Sequence, residues 1–264
     1  RPTPDRPGAD LEEAMAIVGR ARTGRAEVES VREETKRMPP PLLYDLTELQ
    51  RHANRLWGFS AQRTLGIAQM LYETRKLISY PRTDSRHLST DVAATLGEVV
   101  RAIRSAYTAE QIAPGTGDRP LGKRFVDDTK VSDHHAILPT ATVAERAGLS
   151  PDEQKLYDLI CRRLLMAWHD DHVWSVTTVI TRVTSPMGST VDRFHSAGTA
   201  VQQAGWKVLD LQKEKKDDKK ERKEDDADAG ADGDETQDLP PGLARGLARR
   251  VADAKAVAKK TRPP

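Results

Sequence analysis

The feature that most constrains the fold of this chain is an abrupt change in hydrophobic period at His172. Residues 150–169 carry apolar side chains at helical spacing, and Ser150 and Pro151 with the acids after them form a helix start. Residues 173–183 instead alternate β-branched side chains, which predicts a strand buried on one or both faces. A helical part therefore ends where a strand-rich part begins.

The opposite change, from a strand-like to a helical pattern, occurs near the start of the chain, between residues 37 and 46. Residues 9–22 have a helical pattern, and residues 25–37 alternate weakly, like a strand, before the rigid proline run 39–41. Further helices are predicted at 46–56, from 61 to about 75, and at 92–107. The order of strand-like, helical and strand-like segments indicates an α+β, multidomain chain, with domain crossings near Pro41 and Val173.

The last third of the chain contains two more strands predicted from its residues, at 189–196 and at 206–211. The alanines of residues 251–260 favour a helix. Residues 213–238 lack large apolar side chains, so we expect them to form a disordered loop between strands.

The charge of the chain is unevenly placed. Residues 213–238 contain seven Lys or Arg and twelve Asp or Glu, a net charge of −5, whereas the whole chain has a net charge of +2. The remaining residues therefore carry +7, which suits a polyanionic partner.

The composition excludes some classes of protein. The single cysteine, Cys161, excludes a disulfide framework and a Cys-based zinc cluster, and its helical surroundings favour a small buried residue. No run of about 18 apolar residues and no signal peptide occurs, which argues against a membrane or secreted protein. The chain begins without Met inside a polar segment, which we interpret as a piece of a longer protein.

The chemistry is expected in the segment that begins Tyr80-Pro81-Arg82. Pro81 biases Tyr80 toward an extended backbone, in which residues two apart point the same way. The phenol of Tyr80 and the guanidinium of Arg82 can then face one target. A guanidinium fork matches phosphate geometry, and a phenol beside a bound phosphate is a candidate nucleophile. Taken alone, however, such a segment is more often a polar turn.

A second motif, His134-His135-Ala136-Ile137-Leu138-Pro139-Thr140, changes that interpretation. Together the two motifs resemble the tyrosine domain of type IA DNA topoisomerases, where Tyr-x-Arg-Thr-Asp-Ser is followed by His-x-Ala-Ile-x-Pro-Thr. The proline after the tyrosine and the doubled histidine are more similar to topoisomerase III than to topoisomerase I. The similarity covers roughly 39–206 well and the two ends more loosely.

The resemblance implies a mostly helical tyrosine domain inserted into a β-rich gate domain. Accordingly, we expect residues 1–41 to form the first part of the gate domain and residues 42–172 the tyrosine domain. Residues 173–264 are expected to complete the gate domain, with the charged insertion at 213–238. For residues 251–260 the resemblance implies a strand, and we expect a strand there although the alanines favour a helix.

The resemblance also implies roles for individual side chains. Tyr80 would attack a 5′ phosphate of single-stranded DNA; the covalent bond conserves the phosphodiester energy, so no ATP is needed. Arg82 would stabilise the transition state, and His134 would hold the scissile phosphate or assist proton transfer. Thr83 and Asp84 are supporting residues, and Asp84 either orients Arg82 or His134 or forms a turn.

Contacts to DNA are expected from basic side chains in and near the two motifs. These are Arg82, Arg86, Arg63 and His134. For His135 we expect no catalytic role.

Other parts that the resemblance implies find no match in the sequence. The family holds Mg²⁺ and a catalytic lysine in a Toprim domain that precedes the tyrosine domain, and no Asp-x-Asp occurs in a fitting place; Asp225, Asp226 and Asp228 lie in the charged run. We expect Mg²⁺ for the full enzyme, no metal site here, and Toprim and closing domains of the same polypeptide as partners. The isolated fragment is expected to be inactive, and the protein to be cytoplasmic and bound to the chromosome.

Two other classes of protein stay open. One is a catalytically incomplete module that binds single-stranded DNA. The other is a tyrosine recombinase, although that family keeps its tyrosine near the end of the chain, after several Arg and His residues. Formation of a covalent adduct and the 5′ or 3′ polarity of that adduct distinguish the three classes.

Overall fold

The computed structural model of the chain describes residues 7–143, 148–188, 190–211, 239–240 and 242–257. The backbone divides into two compact units. The first unit comprises the described residues among 1–36, 174–202 and 232–264, and the second comprises those among 37–173 and 203–231.

The first unit contains a helix and most of a four-stranded sheet. The elements are α1 (Pro7–Thr23), β1 (Arg25–Met38), β2 (His172–Thr184), β3 (Val191–Gln203) and β4 (Ala248–Arg249), and the strand order is β3-β2-β1-β4. The helix predicted at 9–22 and the strands predicted at 25–37 and 173–183 are confirmed, while β3 begins at Val191 and is longer than expected. Gly24 permits the turn from α1 into β1, because a Cβ there would lie 2.6 Å from Cγ1 of Val183.

The strand predicted at 251–260 is wrong for residues 251–257, which have no regular secondary structure. Pairing with β1 takes place earlier in the chain. Ala26 lies opposite Arg249 in antiparallel register, and the amide of Val28 donates to the carbonyl of Leu247 at 3.0 Å. Residues 258–260, like the predicted disordered loop at 213–238, lie outside the described residues.

The second unit is mostly helical. Its α-helices are α2 (Leu46–Trp57), α3 (Ala61–Gln69), α4 (Thr90–Ala94), α5 (Leu96–Ile103) and α6 (Pro151–Met166). A π-helical turn, Met70–Thr74, continues α3. The helix predicted at 92–107 is interrupted at Thr95, whose hydroxyl donates to the carbonyl of Val92 at 2.9 Å and competes with the helical ladder. Short 3₁₀ helices lie at Arg104–Ala106, Ala109–Gln111, Asp128–Lys130 and Gly205–Leu209.

The strand predicted at 206–211 is wrong, because Gly205–Leu209 forms a 3₁₀ helix. Gly205 begins it with a φ of 54°, and a Cβ at this position would lie 2.3 Å from the carbonyl oxygen of Asp171. Trp206 and Leu209 are three residues apart, so both face the core, and the Trp206 indole donates to the Met38 carbonyl at 2.9 Å.

Local sequence accounts for most helix ends in the second unit. The side chains of Asp45, Ser60 and Ser150 cap α2, α3 and α6, and Ser150 forms a capping box with Glu153. The core surrounds α6, whose Leu156, Leu164 and Cys161 are fully buried, as expected for Cys161. No helix in the described ranges is both long enough and apolar enough to cross a bilayer.

Candidate active site

The segment around Tyr80 has an extended backbone with alternating exposure. Pro81, Thr83 and Ser85 are buried, whereas Arg82 and Asp84 are exposed and Tyr80 is partly exposed. Because extended residues two apart share a face, Tyr80, Arg82 and Asp84 lie on the solvent side of the segment. This is the shared face that Pro81 predicts.

The second motif pairs with the chain just before Tyr80. The amide of Ser79 donates to the carbonyl of Leu138 at 2.8 Å, and the amide of Leu138 donates to Oγ of Ser79 at 3.0 Å. Next to them, Ile78 and Pro139 form an antiparallel bridge. Hydrogen bonds between residues about 60 positions apart thus place the two motifs side by side.

A second set of hydrogen bonds fixes the motifs beyond Tyr80. The hydroxyl of Thr83 donates to the carbonyl of His134 at 3.2 Å and accepts from the amide of Ser85 at 3.1 Å. The amide of Ala136 donates to the carbonyl of His87 at 2.9 Å. Thr83, predicted as a supporting residue, therefore holds the backbone of His134 in place.

Two aromatic rings contact the ring of Tyr80. The centroid of the His134 ring lies 4.5 Å from that of Tyr80 at an interplanar angle of 46°, and Tyr72 makes an edge contact at 5.5 Å and 75°. Within the described part of the chain, the hydroxyl of Tyr80 has no hydrogen-bond partner. The phenol and the imidazole are thus neighbours at the protein surface, with polar atoms available to a ligand.

The side chains of Arg82 and Asp84 are both exposed. Neither makes a hydrogen bond or an ion pair with any other described residue. Asp84 therefore does not orient Arg82 or His134 in this structure, and Arg82 keeps all its donors for an external acceptor.

Arg86 and Arg63 differ from Arg82, since both contact other parts of the protein. Arg86 donates from Nε to the carbonyl of Leu43 at 3.0 Å. Arg63 forms an ion pair with Asp152 and lies over the ring of Phe59, 4.5 Å from its centroid. Their contribution to DNA binding stays a prediction. His135, for which no role is predicted, places Nδ1 2.7 Å from the carbonyl oxygen of Ala136.

Below the surface lies a buried polar cluster that the sequence analysis missed. Arg163 is 7% exposed, stacks 3.9 Å from the ring centroid of Tyr44, and donates from Nη2 to the Tyr44 hydroxyl at 2.9 Å. Nη2 also lies 3.2 Å from Nδ1 of His52, which the Tyr44 hydroxyl contacts as well. The main-chain carbonyl of Tyr44 accepts a hydrogen bond from the amide of Ile137 at 2.8 Å, so the segment that carries Tyr44 also contacts the second motif.

The burial of this cluster shifts the pKa values of its members. Burial, assisted by the positive charge of Arg163, lowers the pKa of His52 to about 3. Burial raises the pKa of Tyr44 to about 12, although Arg163 opposes this change. Both groups are therefore neutral at physiological pH, and only Arg163 carries a charge. No pattern in the sequence marks Arg163 as their neighbour, because it lies 119 residues after Tyr44 and 111 after His52.

Tyr72 and Lys76 were also missed as neighbours of the site. The ammonium of Lys76 lies 5.8 Å from the ring centroid of Tyr72, which itself touches Tyr80. Among the described residues, no three His, Cys, Asp or Glu side chains are grouped closely enough to hold a metal ion.

Comparison with known proteins gives consistent matches. A family model described as DNA topoisomerase matches residues 6–264. DNA topoisomerase 3 of Bacillus cereus (strain ATCC 14579) is 37% identical over 209 residues, which cover 78% of this chain and 28% of that protein. DNA topoisomerase 3 of Bacillus subtilis (strain 168) is 38% identical over 198 residues, covering 74% of this chain and 26% of the relative.

A solved structure has the same fold. Full-length topoisomerase I from Thermotoga maritima superimposes with a TM-score of 0.57 at 24% identity, over 90% of this chain and 34% of the other. The chain thus spans about 28% of the length of the Bacillus cereus relative.

Proposed function

Because the chain belongs to the type IA DNA topoisomerase family and is similar to its topoisomerase III members, we propose that it carries the DNA-cleaving site of such an enzyme. The observation that carries the proposal is the contact between the rings of Tyr80 and His134; Arg82, two residues after Tyr80, is exposed and has no partner among the described residues. A phenol, an imidazole and a guanidinium are groups that phosphoryl transfer to a phenol can use.

In the proposed reaction, Oη of Tyr80 attacks the phosphorus of a phosphodiester in single-stranded DNA. The Oη–P bond forms as the bond from phosphorus to the 3′ oxygen breaks, which leaves a 5′-phosphotyrosine and a free 3′ hydroxyl. The phenolic proton leaves during the attack, and the departing 3′ oxygen acquires a proton. Rejoining reverses these steps, and since the number of phosphoester bonds is unchanged, no ATP is consumed.

The residues around Tyr80 supply what this reaction needs. A phenol has an ordinary pKa of about 10, so the attack requires a base or a positive field. The exposed fork of Arg82 would bind two phosphate oxygens and stabilise the charge that develops in the transition state. His134, 4.5 Å from the phenol ring between centroids, would hold the same phosphate or relay the proton.

Mg²⁺ is expected for the complete enzyme, but the described residues of this chain do not fit a site for it, since no group of three suitable ligands occurs among them. We propose that a Toprim domain supplies Mg²⁺ and that the complete enzyme acts in the cytoplasm on chromosomal DNA.

The test is formation of a covalent adduct on single-stranded DNA. The chain is mixed with Mg²⁺ and a separately produced Toprim domain, and the products are separated on a denaturing gel. A label at the 3′ end of the oligonucleotide should move with the protein, and a label at the 5′ end should be released. The opposite pattern would indicate the 3′ linkage of a recombinase.

Two variants make the assignment specific. Tyr80→Phe should abolish the adduct and leave the fold intact, because only one hydroxyl is removed. Tyr107→Phe removes the hydroxyl of another tyrosine, which donates a hydrogen bond to Asp158. This variant should still form the adduct. If the unmodified chain binds DNA in a salt-dependent way but forms no adduct, the alternative function holds, and the chain is a module that binds single-stranded DNA without cleaving it.

A further inference from the structure

The helix that leads to Tyr80 ends in an unusual way. After α3, Met70–Thr74 forms a π-helical turn, closed by a hydrogen bond of 3.0 Å from the amide of Arg75 to the carbonyl of Met70. Lys76 then adopts a left-handed backbone with a φ of 57°, and the amide of Leu77 donates to the carbonyl of Leu71 at 2.9 Å. A π-helical turn adds one residue to a helical turn, and such turns are frequent at functional sites.

The π-helical turn contains Tyr72, whose ring makes the edge contact with Tyr80. Both Leu71 and Leu77 are buried, at 0% and 4% exposure, so this end of the helix is fixed to the core. The Tyr72 ring is partly buried, and its hydroxyl makes no hydrogen bond within the described part of the chain. Its ring contacts the Lys76 ammonium, 5.8 Å from the ring centroid, and the ring of Tyr80.

The Tyr80 ring thus has two aromatic neighbours that come from different segments, Tyr72 and His134. Pairs of rings with centroids 4.5–7 Å apart and tilted planes are mutually attractive. An exposed phenol without such neighbours would rotate about its side-chain bonds, whereas in-line attack on phosphorus requires one orientation.

We propose that Tyr72 is a positioning residue, which holds the ring of Tyr80 in the orientation for attack on DNA. This inference rests on the proposed function of Tyr80. It also explains why the helix inserts a π-helical turn at this point, because the insertion determines which side chain meets the Tyr80 ring.

The orientation of Tyr80 can be measured without any reaction. We would incorporate 3-fluorotyrosine into the 264-residue chain and assign the ¹⁹F resonance of Tyr80 by its loss in Tyr80→Phe. Tyr72→Leu should narrow this resonance and shift it toward its position in the denatured chain, since the ring becomes free to rotate. Tyr72→Phe, which keeps the ring and removes the unused hydroxyl, should leave it in place.

A control separates loss of orientation from loss of fold. Tyr107 is another partly buried tyrosine of the same core, and Tyr107→Leu should leave the Tyr80 resonance unchanged. In Tyr72→Leu, the Tyr107 resonance reports whether the core is intact, and Tyr72→Met would replace that variant if it is not. A Tyr80 resonance that stays unchanged in a folded Tyr72→Leu or Tyr72→Met protein overturns the proposal.

The adduct assay provides the kinetic counterpart. Tyr72→Leu should lower the rate of adduct formation about 10–100-fold, the range expected for a misplaced reacting group, with no change in DNA affinity. Tyr72→Phe should form the adduct at the rate of the unmodified chain. An equal rate in Tyr72→Leu would contradict the positioning role, whereas an adduct that survives in Tyr80→Phe would contradict the proposed function itself.

Discussion

The hydroxyl of Thr83 donates a hydrogen bond to the main-chain carbonyl of His134 at 3.2 Å. The same oxygen accepts a bond from the amide of Ser85, and Thr83 is 7% exposed. One buried hydroxyl therefore uses both its donor and its acceptor to hold together the two segments that carry the candidate nucleophile and the candidate histidine.

Replacing Thr83 by Val should destabilise the chain by about 1–3 kcal/mol, because the shape is kept while a partly buried carbonyl and a buried amide lose their partner. Urea unfolding measures this difference. Thr83→Ser keeps both hydrogen bonds, so it should lower the free energy of unfolding less than Thr83→Val does. Thr142→Val, at an exposed threonine, is the control and should be close to neutral. An unchanged midpoint in Thr83→Val would show that the bond contributes nothing.

The local part of this site was predictable from sequence, and the long-range part was not. Pro81 restricts the residue before it, so the extended backbone and the shared face of Tyr80 and Arg82 follow from neighbouring residues alone. The pairing of Ser79 with Leu138 depends on how the intervening helices fold, and only the family resemblance indicated that the motifs meet. For the cluster of Tyr44, His52 and Arg163, neither a local sequence pattern nor the family resemblance indicated that the side chains meet.

The same distinction explains the two strands that were wrongly predicted. Around Trp206, an apolar pattern compatible with a strand forms a 3₁₀ helix, because the tertiary contacts of Trp206 and Gly205 decide the backbone. Near the end of the chain, the family resemblance implied a strand at 251–260, but the strand pairs at Ala248–Arg249 and residues 251–257 have no regular secondary structure. Around Trp206, tertiary contacts override a weak local preference.

Arg82 provides a test of the proposed transition-state contact. Arg82→Ala should lower the rate of adduct formation by about 10²–10³-fold, the usual range for losing one preorganised donor. Arg82→Lys should recover only part of the rate, since it keeps the charge but not the two-pronged geometry. The measurement is the rate of adduct formation at saturating DNA.

Arg86→Lys is the matched comparison for Arg82→Lys, because Arg86 donates to the carbonyl of Leu43 inside the protein. Arg86→Lys should lower the free energy of unfolding, and it should lower the rate of adduct formation less than Arg82→Lys does. Equal rate losses in the two lysine variants would contradict a special role for Arg82.

The ion pair between Arg75 and Glu153 should make stability depend on pH. The hydrogen bond from Arg75, supported by the amide of Ser150, lowers the pKa of Glu153 from 4.5 to about 2. Since the folded pKa lies below the unfolded one, the stabilisation is present above pH 4.5 and is lost as the pH falls toward 2.

Glu153→Gln isolates this effect, because Gln can still complete the capping box with Ser150 while losing the charge. At pH 7 it should cost about 1–2 kcal/mol, a figure reduced by the partial exposure of Arg75. The difference from the unmodified chain should shrink in urea unfolding as the pH falls below 4.5. Asp152→Asn, which breaks the more exposed pair with Arg63, should cost less than about 1 kcal/mol. A cost for Glu153→Gln that does not vary with pH would exclude the charge as its source.

His52 predicts a second pH dependence at higher pH. Its Nδ1 faces the Tyr44 hydroxyl and the Arg163 guanidinium, so a proton there would displace both donors, and burial together with Arg163 lowers the pKa of His52 from 6.5 to about 3. Because the unfolded chain binds this proton more readily, stability should fall as the pH falls from 6.5 toward 3. His52→Gln, which keeps an acceptor for Tyr44, should flatten this part of the urea-unfolding profile relative to the unmodified chain. By NMR, His52 should stay neutral at pH 5, and Arg163→Met should raise its pKa only partly, since burial is the larger cause. A titration midpoint near 6.5 in the unmodified chain would show that His52 is not held neutral by this cluster.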